Sequence, residues 1–336
     1  MTIAGKKVAS LALLAAVGAS LAYAFAGSES DPAYTRTTAS IAPNYESLSA
    51  CEKQKTLWDN VTSTVHAKLP EYGKLGLPQV YSMWRQKISN KRDRFSDYAP
   101  EGWVKYLHRR GAMAQVKIVP RDPAHLKYTG VFQGAECALL RLSLTYRPAG
   151  DKPVAPGLAL KVLRDGTPSA NISALVSLDG QGKDFNFFAH PMSNIVPVGG
   201  SFGQKLVHRI FSSVSKYPEE LLASDMALVD AHGKQAAAVV APRQLFFVPG
   251  RDLKFSSDDH DVRDDFAKIP VGTTVYEIHA LPAQRAGFDY TGEYTDELAV
   301  SFLKESEHIA DVVTTSEFLA SAFGDDGIFF KHQVRP

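Results

Sequence analysis

Cysteine is scarce. Cys51 and Cys137 are the only two among 336 residues, and they carry no metal-ligand spacing. A bond between them cannot be deduced from their positions. The apolar strand pattern around Cys137 points instead to a buried free thiol. Net charge is also nearly absent, at +1. That removes the electrostatic case for a nucleic acid or an anionic membrane surface as partner. No basic stripe interleaved with aromatics runs through the chain, and no repeat of fixed period is found.

The N-terminus differs from the rest. Lys6 and Lys7 precede an apolar run from Val8 to Ala26, and Ala24-Phe25-Ala26 before Gly27 fits a small-x-small cleavage site. The expectation for residues 1–26 is a secretory signal, hence an exported protein, periplasmic or secreted. The run approaches the length of a bilayer span, so an N-terminal anchor is the alternative, with residues 8–26 as the membrane contact if uncleaved. Residues 27–47, rich in Ser, Thr, Ala and Pro, are expected to be a flexible linker. A hydrophobic content of 45% is ordinary for a globular protein, and residues 48–333 are expected to form one domain.

Within that domain, Leu57, Trp58, Val61 and Val65 repeat at helical spacing. Beyond residue 104, short strand patterns dominate, at 112–119, 136–146, 157–163, 171–178, 235–248 and 273–281. Turn clusters separate them, among them Pro148-Ala149-Gly150-Asp151 and Arg164-Asp165-Gly166. Asp-Gly between strand patterns is a hairpin cue. Helical interruptions fall near 203–215 and 295–307. The expected fold class is α+β: an antiparallel β-barrel of about eight strands with peripheral helices.

Alternate side chains of a strand share a face. Ala138, Leu140, Leu142 and Leu144 therefore form a wholly apolar face. Cys137, Leu139, Arg141 and Ser143 form the other, a pattern suited to lining a polar pocket inside a barrel. A guanidinium in that setting needs an anion, from a cofactor, a substrate or a protein carboxylate. His108 precedes a strand with an apolar face of Ala112, Ala114, Val116 and Ile118. Its imidazole titrates near neutrality and suits general acid/base work, held by a hydroxyl such as that of Ser143. A structural ion pair and a satisfied structural histidine are the alternatives.

The stretch from Lys105 to Pro191 resembles the catalase-fold superfamily. His108-Arg109-Arg110-Gly111-Ala112-Met113-Ala114 is similar to that family's His-Ala-Lys-Gly-Ala-Gly-Ala segment, and Leu140-Arg141-Leu142-Ser143 to its Val-Arg-Phe-Ser strand. Pro156-Gly157-Leu158-Ala159-Leu160-Lys161 is similar to its Arg-Gly-Phe-Ala-Val-Lys hairpin. Phe187-Phe188 with His190-Pro191 resembles its Phe-Phe pair with Asp-Pro beyond. The resemblance implies a catalase-like barrel and haem b as cofactor. It casts His108 as the distal catalytic residue and Ser143 as the hydroxyl that orients it. It casts Arg141 and Lys105 as propionate partners, and Phe187 and Phe188 as the apolar wall.

The departures concern the iron. Lys105 stands where the family has arginine, which keeps the charge and loses the bidentate fork. The family's distal asparagine falls on Gly182. The Arg-x-Phe-x-Tyr segment that supplies the iron-binding tyrosinate is not found after the last strand pattern, near 311–314, and Arg285-Ala286-Gly287-Phe288-Asp289-Tyr290 comes too early in the order. The metal ligand is left unassigned.

The expected function is a haem-dependent enzyme acting on a peroxide, organic or lipid hydroperoxides included. One alternative is a haem-free barrel that binds an apolar, lipid-like ligand without turnover. Another comes from Gly199-Gly200-Ser201-Phe202-Gly203, which matches a serine nucleophile elbow. That hydrolase would use Ser201 with a later histidine such as His279 or His308. The hairpin-rich pattern and Pro197 in the preceding strand argue against it. Asp258, Asp259, Asp261, Asp264 and Asp265 are read as an acidic helix start rather than a cation site.

Overall fold

A computed structural model describes residues 44–63, 97–98, 110–121, 126–128, 136–147, 150–165, 167–176, 188, 191–193, 228–230, 242–253, 266–282, 296–320, 328 and 330. Two helices, α1 (Ala50–Ser63) and α2 (Asp296–Glu305), accompany eleven strands among these residues. The strands are β1 (Arg110–Pro120), β2 (Leu126–Tyr128), β3 (Cys137–Arg147), β4 (Gly150–Arg164), β5 (Thr167–Val176), β6 (Met192–Ser193), β7 (Leu228–Asp230), β8 (Pro242–Pro249), β9 (Thr274–Pro282), β10 (Glu307–Thr314) and β11 (Leu319–Ala320).

Strand order is β10-β9-β8-β6-β5-β4-β3-β1, and β1 also pairs with β10, so eight antiparallel strands form a nearly closed barrel. The short β11 shares that edge of β1, opposite Ala112 and Met113. A separate ribbon joins β2 and β7. The hairpin expected at Arg164-Asp165-Gly166 connects β4 to β5, with Arg164 facing Thr167. No described helix is long and apolar enough to cross a membrane; residues 1–43, with the expected signal and most of the linker, lie outside the described residues.

Period-two alternation decides what fills the barrel. Ala112, Ala114, Val116 and Ile118 of β1, Ala138, Leu140 and Leu142 of β3, and Leu158, Leu160 and Val162 of β4 all point inward. Facing their small members are the rings of Phe188, Phe247, Phe266, Tyr276 and Phe318. Phe188 stacks on Tyr276 at 5.6 Å and meets Phe266 edge-on at 5.7 Å. Eight strands leave an interior about wide enough for side chains, and here it is a packed core.

The opposite faces of β1, β3 and β4 are covered by α1. A second cluster joins Met113, Cys137, Leu139 and Leu163 to Leu57 and Val61 of α1, with Tyr45, Tyr98 and Ile328. The helix begins with a capping box: the Ser49 backbone N–H and hydroxyl both donate to Glu52 Oε2, at 2.9 and 2.7 Å. The Asp165 carboxylate, from the β4–β5 turn, accepts the Ala50 N–H at 2.7 Å. Gln54 spans the β1–β3 ladder, donating to the carbonyls of Val116 and Ala138 at 2.9 and 2.6 Å.

Two expectations change here. Cys137 is not a free thiol but is bonded to Cys51, with Cα atoms 5.1 Å apart. Its side chain faces α1 rather than the barrel core, and the helix brings Cys51 over it. The folded part also starts earlier than residue 48, because Tyr45 is buried in a short 3-10 turn, Tyr45–Ser47.

Candidate functional site

Two polar constellations lie on the outside of the barrel. The first occupies the wall formed by β1, β3, β4 and β5. Arg141 and Ser143 share a face, as their alternation requires, but the face turns away from the barrel core, since Leu140 and Leu142 point inward. The expectation of a polar pocket inside the barrel is therefore corrected: these side chains belong to its outer wall. Both are buried nonetheless, at 4% and 5% exposure.

Register sets Met113 opposite Arg141 and small residues around Ser143. Gly111 faces Ser143, which faces Gly157, and Arg141 faces Ala159, which faces Ser173. A Cβ on Gly111 would lie 2.4 Å from the Leu142 carbonyl oxygen and 3.1 Å from the Arg141 guanidinium carbon. Glycine is thus what admits the guanidinium beside β1. The Ser143 hydroxyl donates to the Gly157 carbonyl across a long 3.5 Å. One row away, the Asn171 side-chain oxygen is buried with no donor among the described residues.

The structure does not bring Phe188 to Arg141, because Phe188 lies in the barrel core on the other side of the strands. His108, Lys105, Phe187, Gly182 and Ser201 lie outside the described residues. β1 begins two residues after His108, with Arg110 opposite Leu144 and Gly111 opposite Ser143.

A buried ion pair, not anticipated from the sequence, stands on the same wall. Lys161 Nζ lies 2.8 Å from Asp97 Oδ1, with both side chains almost wholly buried. Ser169 donates to the same carboxylate, and Tyr45 donates to its other oxygen at 2.7 Å. Lys161 also lies over the Phe330 ring, 5.5 Å from its centre. Burial alone would raise the Asp97 carboxyl. The Lys161 ammonium, with Ser169 and Tyr45 as further donors, outweighs that and holds it below the ordinary value of 3.8. Burial, then the Asp97 charge, pushes the Tyr45 phenol far up. Burial likewise pushes Tyr98 up to about 12.

A depressed carboxyl contributes stability that is present above the unfolded-state value and lost as pH falls through the folded one. The window therefore opens below 3.8. Unfolding free energy measured from about pH 6 to about pH 2 is expected to fall steeply there, and less steeply in Asp97→Asn. Equal slopes in the two proteins would contradict this assignment.

The second constellation is on β9 and β10. Glu277 and His279, two apart on β9, share the outer face; His308 of β10 stands directly opposite His279. The two imidazoles are stacked, with centres 4.8 Å apart. His279 Nε2 is 3.3 Å from Glu277 Oε2 and His308 Nδ1 is 3.6 Å from the same oxygen. His308 Nε2 is 2.8 Å from Asp311 Oδ1. Burial lowers the His279 pKa, against the pull of Glu277. Both histidines proposed as hydrolase partners are thus committed to carboxylates on one sheet, and every strand pairing among the described residues is antiparallel.

No protein-family model matches the chain, and no curated protein matches it significantly.

Proposed function

We propose that the protein is a catalase-like, haem-dependent enzyme acting on a peroxide, organic or lipid hydroperoxides included, and that its ligand lies on the outer wall of β1, β3, β4 and β5. The observation that carries this reading is the Arg141–Ser143 row. One buried guanidinium and one hydroxyl share this face, with Gly111 and Gly157 beside Ser143, and Met113 and Ala159 beside Arg141. The glycines beside Ser143 leave room for an apolar group, and a buried guanidinium suits a carboxylate next to it.

The described residues fit the carboxylates of haem, not its iron. Met113 is sealed in the cluster beneath α1, the Tyr45 phenol is bonded to Asp97, and the Tyr98 phenol accepts from Asn60 at 3.3 Å. None of them is open to a metal. Bound haem would supply the redox chemistry at the peroxide. The chain's own residues have simpler tasks. Arg141 neutralises a carboxylate, and Lys105 adds a second positive charge. Ser143 holds the His108 imidazole, which exchanges a proton with the peroxide at neutral pH.

The lack of an open iron ligand on the described wall favours a second reading, a haem-free barrel that binds an apolar carboxylate at the same place without turnover. Titration of the purified chain with hemin separates the two. The haem reading expects a Soret band at one equivalent. It also expects binding weakened at least about tenfold in Arg141→Ala, since a hydrogen bond to a charged group contributes roughly 1.5–3 kcal/mol. No Soret band, with a long-chain fatty acid retained by the wild type and lost in Arg141→Ala, would replace it with the second reading.

A further inference from the structure

The cluster on β9 and β10 has no part in that function, and its geometry is unusual for chance. In a regular strand, residues 308 and 311 would point to opposite faces. Here the register shifts between His308 and Ala310. His308 faces His279, Ala310 faces Ile278, and Asp311 faces Glu277. The extra residue, Ile309, is buried with Ala310 in the barrel core. This bulge turns both His308 and Asp311 outward, beside Glu277 and His279. Bulges recur where a strand must re-aim a functional side chain.

The hydrogen bonds then specify the tautomer. His308 Nε2, at 2.8 Å from Asp311 Oδ1, carries a proton and donates it. In the neutral ring the lone pair is left on Nδ1, and Nδ1 faces Glu277 Oε2 at 3.6 Å. His279 Nε2 approaches that same oxygen at 3.3 Å. A lone pair aimed at a carboxylate oxygen is repulsive unless a cation lies between them. That cation is either a second proton on His308 or a metal.

We propose that Glu277, His279 and His308 form a binding site for one divalent transition-metal ion of the zinc type, with Asp311 positioning His308 from behind. The donor set is two imidazoles and a carboxylate, which such ions favour. The three ligand atoms lie within 4.8 Å of one another. Ligands about 2.0–2.1 Å from a tetrahedral ion are roughly 3.3 Å apart, so two of the separations are already close to what an ion requires. A carboxylate behind a ligating imidazole is the usual outer support of such sites. The rings must leave their parallel stack for both nitrogens to face one ion. His279 can do this by turning about χ2, a broad torsion, without disturbing the His308–Asp311 bond. Arg251 reaches only the other Glu277 oxygen, at 3.9 Å, and is almost wholly exposed. The ligand side chains are all about one-fifth exposed, 17–20%, which leaves the remaining coordination position to water.

The test uses the full chain, stripped with chelator and titrated with Zn2+ by calorimetry and with Co2+ by visible absorption. One equivalent of Zn2+ is expected to bind, and Co2+ to give a four- or five-coordinate spectrum. Asp311→Asn is expected to weaken binding by roughly 10–100-fold while keeping the stoichiometry. Glu277→Gln and the double variant His279→Ala/His308→Ala should abolish the site. The proposal is overturned if the folded wild-type chain takes up no Zn2+, or if its affinity is unchanged in both Glu277→Gln and the double variant. It is equally overturned if the nitrogen-15 signals of the His308 ring do not move when Zn2+ is added.

Discussion

Removing the Cys51–Cys137 bond is expected to lower the unfolding free energy by about 4–5 kcal/mol, the chain-entropy value for a loop of this length. The bond joins residues 86 apart in sequence and ties α1 to the start of β3. With Leu57 and Val61 fully buried against the same strands, the helix has two means of attachment. The bond acts mainly by restricting the unfolded chain, so its loss weakens the whole fold. In Cys51→Ser/Cys137→Ala the urea midpoint should fall by roughly 1.5 M or more. A thiol reductant should lower the wild-type midpoint to the same place and leave the variant unchanged. A shift below about 1 kcal/mol, or wild-type insensitivity to reductant, would show that α1 is held by packing alone.

Breaking the Lys161–Asp97 pair from one side is expected to cost about 3–5 kcal/mol, because it strands a buried charge. Among the described residues, Lys161→Met leaves the Asp97 carboxylate with only the neutral donors Ser169 and Tyr45. Asp97→Leu leaves the ammonium among Ser169 and the Phe330 ring. The double variant Lys161→Met/Asp97→Leu should recover most of the loss, since replacing both members with apolar groups is often near neutral. Urea unfolding of the wild type, both single variants and the double variant gives the interaction free energy directly. Additive losses would mean that the two charges do not depend on each other.

The antiparallel barrel was legible because its strands alternate cleanly. Ala112 to Ile118 and Ala138 to Leu142 announce their faces, and Asp165-Gly166 marks its hairpin. Which face is inside was not legible. Both faces of β3 carry buried apolar residues, and only the neighbouring strands and α1 settle that Leu140 faces the core while Leu139 lies beneath the helix. The Cys51–Cys137 bond was hidden for the same reason, since it depends on where α1 crosses β3. Asp97 has no periodic context to mark it, and its partner Lys161 reads from sequence as an ordinary strand lysine. His308 and Asp311 are three apart, which a strand reading sends to opposite faces; the bulge that unites them has no signature in residue type. Glu277-x-His279, by contrast, was a visible same-face pair.

Under the haem reading the ligand surface is the outer wall, not the barrel interior. Ala159 lies at the centre of that wall, facing Arg141 on one side and Ser173 on the other. Hemin titration of Ala159→Trp, with its fold checked by circular dichroism, is the most direct test. Filling the floor with an indole should abolish uptake while leaving the barrel intact. Uptake equal to that of the wild type would place the ligand elsewhere and exclude the outer wall as its site.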